Sequence, residues 1–266
     1  MRTWLAVLLL FSTLPATADL KIVTRRSFGG HPATAPEVKY VQGQRVRTEY
    51  RQGGDRHEHI FQCDLHRVID LNARTKLFAT TDLDNNGLPV SRRGARPRDP
   101  EPAAEYTVTA EDTGERATIF GMPAWHVRET VVKTSPGPYG IGNTVTDYWF
   151  VDLKVPLGCR ARAEGQDSFI GDNPRFKIKR VGEARRGFPV LTRTVMSGRT
   201  GKTENVVQVT EISTAALDPK LFDIPEGFAP ALQVGERADL EKPDTMTNRV
   251  KAHWDGFWMT MAKFIY

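Results

Sequence analysis

The sequence predicts a mainly β (α+β) protein built on an antiparallel curved sheet, with a helix at its C-terminal end. Three observations carry this expectation. Short runs of β-branched and aromatic residues alternate with period two, and turn residues punctuate them. No helix-period pattern interrupts these runs, so neighbouring strands are expected to pair antiparallel. The stretch from Tyr106 to Cys159 is apolar on both faces of its strands, which demands cover on both sides and hence a curved sheet with something packed in its hollow.

In that central stretch, Tyr106–Ala110 leads into a turn at Asp112-Thr113-Gly114-Glu115, followed by runs Ala117–Phe120, Ala124–Val132 and Thr144–Val151. Trp125, Val127 and Val131 share one face of their run, while His126, Arg128 and Thr130 point the other way. In the next run Val145, Trp149 and Val151 take one face and Tyr148 and Phe150 the other.

The chain opens with the pattern of a signal peptide over residues 1–18. Arg2 supplies the charge, Trp4–Phe11 the apolar stretch, and Ala16-Thr17-Ala18 a small-x-small cleavage site before Asp19. The apolar stretch is shorter than the roughly 20 residues a membrane span needs, although an uncleaved N-terminal anchor is the alternative. No cysteine follows the cleavage site, so no lipoprotein anchor is expected, and the predicted location is periplasmic or secreted. Losing Arg2 takes the formal net charge from +5 to +4, spread along the mature chain. That balance fits a solvated surface or contact with anionic lipid or polymer. The only cysteines are Cys63 and Cys159. In an oxidising compartment they form a disulfide or remain two buried thiols; a bond closing a loop of about 100 residues is worth about 4.7 kcal/mol in chain-entropy terms.

The mature chain reads strand after strand. Leu20–Val23 opens it, Ser27–Pro36 is a loop, and Val38–Gln42 turns at Gly43-Gln44 into Arg45–Arg51. There Val46, Thr48 and Tyr50 should meet a core while Arg45, Arg47, Glu49 and Arg51 meet water. His57–Cys63, Arg67–Leu71 and Lys76–Thr80 continue the meander. Leu88–Ala104, rich in proline and arginine and nearly devoid of apolar residues, should be a mobile loop (88–104). Arg175–Val181 is ambiguous between a strand and a short helix. Val190–Met196 and Thr203–Ile212 form a hairpin, and Thr214–Phe222 holds a short helical turn with Asp218-Pro219 at its start. The expected β domain spans residues 19–228. Residues 229–266 form a linker and an amphipathic helix, with Met246, Val250, Trp254, Phe257, Trp258, Met261 and Ile265 at helical spacing. That helix packs on the sheet, docks on an envelope protein, or lies on a membrane surface.

Several of these segments carry a resemblance. Gly43-Gln44-Arg45-Val46-Arg47-Thr48-Glu49, Asp112-Thr113-Gly114-Glu115-Arg116 and Phe120-Gly121 are three of them. Ala124-Trp125-His126-Val127, Asp147-Tyr148-Trp149-Phe150-Val151-Asp152-Leu153, Gly187-Phe188-Pro189-Val190 and Leu221-Phe222-Asp223-Ile224-Pro225 are the others. Together they resemble an uncharacterised family of secreted bacterial domains related to the periplasmic lipoprotein-carrier (LolA-type) fold. The resemblance covers about Leu20 to Phe228. It implies an antiparallel half-open barrel with short helices in the concave face, able to hold acyl chains. On that reading Trp125, Val127, Tyr148, Trp149 and Phe150 are candidates to line a cavity for an apolar ligand.

Other constellations point to different chemistry. His57 and His59 share a strand face and could hold a metal, although no third ligand is placed. Asp82, Asp84 and Asn86, followed by Gly87, imitate the first half of a calcium loop, but position twelve is Arg93 and no helices flank the run. There is no G-x-S-x-G elbow, no P-loop and no dinucleotide fingerprint, so an enzyme is not expected. The basic run Arg175–Arg180 reads as a solvated edge, and no nucleic-acid partner is expected. The expected function is an exported, monomeric, cofactor-free module that binds an apolar ligand or a lipidated protein. The alternatives are a structural or adaptor protein of the envelope with a self-filled core, and a metal- or calcium-binding periplasmic protein.

Overall fold

The computed structural model describes residues 19–31, 35–52, 55–84, 90, 104–135, 142–155, 176–198, 201–232 and 234. These form one curved, unclosed sheet of thirteen strands in the order β10-β7-β8-β9-β11-β12-β1-β2-β3-β4-β5-β6-β13. The strands are β1 Leu20–Phe28, β2 Glu37–Gln42, β3 Arg45–Gln52, β4 Asp55–Gln62, β5 Arg67–Asn72 and β6 Leu77–Asp82, then β7 Ala104–Ile119, β8 Met122–Lys133 and β9 Asn143–Val151. β10 Phe176–Val181, β11 Phe188–Gly198, β12 Gly201–Ser213 and β13 Ala229–Pro230 complete it. The expected signal peptide and C-terminal helix lie outside the described residues, as does the expected loop 88–104 apart from Val90 and Ala104. β13 carries the sheet past Phe228.

The mainly β, half-open architecture is the one the sequence predicts, with three corrections. The expected turn at Asp112–Glu115 is a bulge inside the single long strand β7, whose pairing with β8 shifts register between Asp112 and Arg116. Gly114 takes a left-handed φ of +82° there, and its amide donates to the Asp112 carboxylate at 2.9 Å. The true hairpin turn is Phe120-Gly121, with φ of +52° and +74°, a two-residue turn whose twist suits the flanking strands. Second, β10 pairs with β7 and β13 with β6 in parallel. Each edge strand is reached by a long connection, which lets the chain return in the same direction. Third, helices are nearly absent: among the described residues only two 3-10 turns occur, Cys63–Leu65 and Pro219–Phe222.

Among the described residues, irregular segments rather than helices cover the sheet. Residues 214–228 cross β2 to β6, where Phe222 is fully buried against Ile60, Ile69 and Leu71. The Asp218 side chain caps the 3-10 turn by accepting from the Lys220 amide at 2.9 Å, with Pro219 at the first helical position. Three strands reach up to hold this segment. Gln42 donates to the Leu217 carbonyl at 3.1 Å, Arg47 to that of Leu221 at 2.8 Å, and Gln62 to that of Phe222 at 2.7 Å.

The charged face of β3 was expected to meet water, and this cover overturns that expectation. Arg47 is buried, and so is Glu58 on β4. Arg47 pairs with both Glu58 and Glu49, and Arg56 pairs with the same two carboxylates, so the charges cancel. Burial beneath the same segment pushes the Tyr40 phenol above its ordinary pKa.

Phe222 is the apolar anchor of this cover. Phe222→Ala should lower the free energy of unfolding by about 3–5 kcal/mol, read from the midpoint of urea denaturation. A loss below about 1 kcal/mol would show that residues 214–228 lie only loosely on the sheet.

Candidate functional site

Two places on the sheet bring functional side chains together. The first is the aromatic patch of β8 and β9. Register places Trp125 opposite Phe150 and Val127 opposite Tyr148, and these four form one buried cluster. Tyr148 and Phe150 stack with centroids 5.2 Å apart. Trp149 is on the opposite face, where the His126 ring stacks on it at 5.1 Å. His126 there faces Glu115 and Asp147, each at 3.1 Å, and Asp147 also accepts from Arg128 at 2.8 Å, raising the pKa of that guanidinium.

The aromatic cluster is not open. After β10 the chain crosses this face as a strap, residues 182–187, before entering β11. The Trp125 indole N–H donates to the Arg185 carbonyl at 2.8 Å, and the Arg185 guanidinium lies 4.2 Å from the indole ring. Arg186 sits above the Tyr148 ring and pairs with Glu129, which is wholly buried. The contact is imperfectly satisfied, because Glu129 Oε1 and Arg186 Nη1 are buried without hydrogen-bond partners. Glycine at both ends lets the strap lie this close. A Cβ at Gly182 would stand 2.5 Å from the Ala110 carbonyl oxygen, and one at Gly187 would stand 2.6 Å from that of Val151.

The second place is a cavity of about 520 Å³ above β2, β3 and β4. Tyr50, Phe61 and Ala35 line it, with Arg26, Arg51 and His59 among the polar groups around them. Register accounts for the grouping: Tyr50 lies opposite His57, and His59 lies between Thr48 of β3 and Asp70 of β5. A hydrogen-bonded chain results. The Asp70 carboxylate faces His59 Nδ1, and His59 Nε2 faces the Tyr50 hydroxyl at 2.7 Å. Both imidazoles stack on the Tyr50 ring, His57 at 5.7 Å and His59 at 5.2 Å between centroids. His57 is buried, and its Nε2 has no hydrogen-bond partner. Arg26 pairs with Glu37 at 3.0 Å.

This geometry bears on the candidate metal ligands. His57 and His59 do share a strand face, but both ring nitrogens of His59 are engaged by Asp70 and Tyr50. No group of three metal-ligating side chains forms among the described residues. Asp82 ends β6 and Asp84 follows it, while Asn86 lies outside the described residues. Cys63 opens the first 3-10 turn; its candidate partner Cys159 lies outside them. Sequence reading passed over Tyr50, Asp70 and Arg186. The alternation of β3 and β4 could have paired Tyr50 with the histidines; nothing local in Gly182–Gly187 announces a strap.

No protein-family model matches the chain, and no curated protein matches it. Among solved structures it is similar to an uncharacterized conserved protein from Thermus thermophilus. The two share 10% identity at a TM-score of 0.38, over 80% of this chain and 89% of that one. It is also similar to a LolA superfamily protein from Nitrosomonas europaea, with 9% identity and a TM-score of 0.26 over 79% of this chain and 91% of that one. Likenesses this distant carry no argument about ligand or activity.

The strap makes a specific demand on Glu129 and Arg186. Glu129→Ala should cost about 3–5 kcal/mol in chemical denaturation, because it strands a buried guanidinium. Replacing both residues together, as Glu129→Leu with Arg186→Met, should cost much less than either charge removed alone. Equal losses for the single and double variants would mean the pair does not hold the strap.

Proposed function

We propose that the protein is an exported, non-enzymatic module that binds an apolar ligand, a lipid or the acyl chain of a lipidated protein, in the hollow of its half-open sheet. The observation that carries this reading is the cavity of about 520 Å³ floored by Tyr50 and Phe61. Its volume is in the range of roughly 300–1,000 Å³ typical of ligand sites. The curved, unclosed sheet supports a LolA-like fold for it, and the signal-peptide pattern over residues 1–18 supports export. The protein acts as a monomer, with no cofactor and no nucleic acid.

A specific observation favours a second reading, a structural or adaptor protein of the envelope whose core is filled by its own chain. The strap 182–187 already occupies the aromatic patch over Trp125, Val127, Tyr148 and Phe150. Leu153 and Val155 likewise pack on the cluster of Leu20, Val41 and Val46. The two readings differ in what fills the remaining hollow.

Native mass spectrometry of gently purified exported protein separates them. The expected result is a chain beginning at Asp19 that carries additional mass, with lipid recovered in solvent extracts. A bare chain with no extractable lipid would favour the self-filled reading. The exported state also implies a bond between Cys63 and Cys159. Thiol titration under denaturing conditions without reductant should then detect no free thiol, and two titrating thiols would reject the bond.

A further inference from the structure

We propose that the cavity above β2–β4 selects a single-chain anionic amphiphile, with a carboxylate or phosphate head near Arg51 and His59 and its chain against Phe61 and Ala35. The proposal rests on the ligand-binding reading above and adds the chemical class of the ligand. It starts from charge accounting. The charged residues lining the cavity are Arg26, Arg51 and Glu37. Arg26 and Glu37 neutralise each other at 3.0 Å, while Arg51 has no ion-pair partner among the described residues. The cavity therefore has a surplus positive charge at its rim and an aromatic floor. A neutral alcohol would leave Arg51 unanswered, and a quaternary ammonium would be repelled by it.

The Asp70–His59–Tyr50 chain adds a second element. Nδ1 of His59 faces a carboxylate and so carries a proton; in the neutral ring Nε2 then accepts from the Tyr50 hydroxyl. The chain fixes the His59 and Tyr50 rings in the cavity wall, beside Arg51. The other titratable or charged groups around this ring are Tyr50 and Arg51 of β3, His57 of β4, Glu37 of β2 and Arg26 of β1. Of the nearby negative charges, Glu37 is held by Arg26, and Asp70 is engaged by the His59 ring.

Calorimetric titration of the purified protein with decanoate, decyl phosphate, decanol and decyltrimethylammonium tests this. The two anions should bind about tenfold or more tighter than decanol, as a charge-assisted contact allows, and the ammonium should not bind. Arg51→Ala should bring the anions to within a few-fold of decanol and leave decanol unchanged; Arg51 is exposed, and the decanol titration reports that the cavity of this variant is intact. Inorganic phosphate should not displace decanoate, which separates an amphiphile site from a free-anion site. Phosphatidylglycerol vesicles should not sediment the protein if the site takes a free amphiphile; co-sedimentation that Arg51→Ala abolishes would assign the head to a bilayer lipid and overturn the single-chain assignment. Equal affinity for decanol and decanoate, or anion binding indifferent to Arg51, would overturn the head-group assignment while leaving the apolar reading standing. Binding of none of the four amphiphiles would overturn the apolar reading itself.

Discussion

Among the described residues, the single unclosed sheet is apolar on both faces and has no second sheet to bury it. Its own connections must supply the cover, and most of this structure follows from that constraint. Residues 214–228 cover β2–β6, Leu153 and Val155 pack where β1–β3 meet, and the strap 182–187 lies over β8 and β9. Each cover is irregular, because a segment that must follow a twisted sheet and pass close to its backbone is better served by glycine and proline than by a helix. Gly182 and Gly187 show this directly, since a side chain at either would collide with a strand carbonyl.

Irregular cover creates a polar problem. Its carbonyls have no helical or sheet partners, and buried carbonyls need donors. The sheet answers with long side chains that stand up from its surface: Gln42, Arg47 and Gln62 under one segment, and Trp125 under the strap. Arginine serves well here because its stem adds apolar contact while its head reaches a carbonyl. The charge Arg47 brings inside is neutralised by Glu49 and Glu58, and at the strap Arg186 is paired with Glu129 of the sheet. Such pairs add little net stability against an apolar alternative, but they fix where the covering segment sits. The cavity over Tyr50 and Phe61 is where no described segment performs this role, and there the polar groups face the hollow.

The strands were legible because period-two alternation is a local signal. Trp125, Val127, Tyr148 and Phe150 came out on shared faces from parity alone, and their cross-strand pairing followed. The same local logic misplaced the turn of the β7–β8 hairpin. Asp112-Thr113-Gly114-Glu115 has turn chemistry, yet a bulge uses the same residues, and only the long partner strand β8 distinguishes the two.

What the sequence by itself determined is therefore the strand class, the alternation of faces and the capping signal at Asp218-Pro219. These depend on residues within a few positions of one another. Only the tertiary structure decided which faces are covered and by what. Burial of Arg47 depends on a carbonyl 174 residues away, and burial of the aromatic patch on a strap reached through Arg185, 60 residues beyond Trp125. The Tyr50–His59–Asp70 chain likewise arises from the register of three strands. No periodicity encodes contacts at such separations; they exist only once the sheet has curved and the connections have been laid across it.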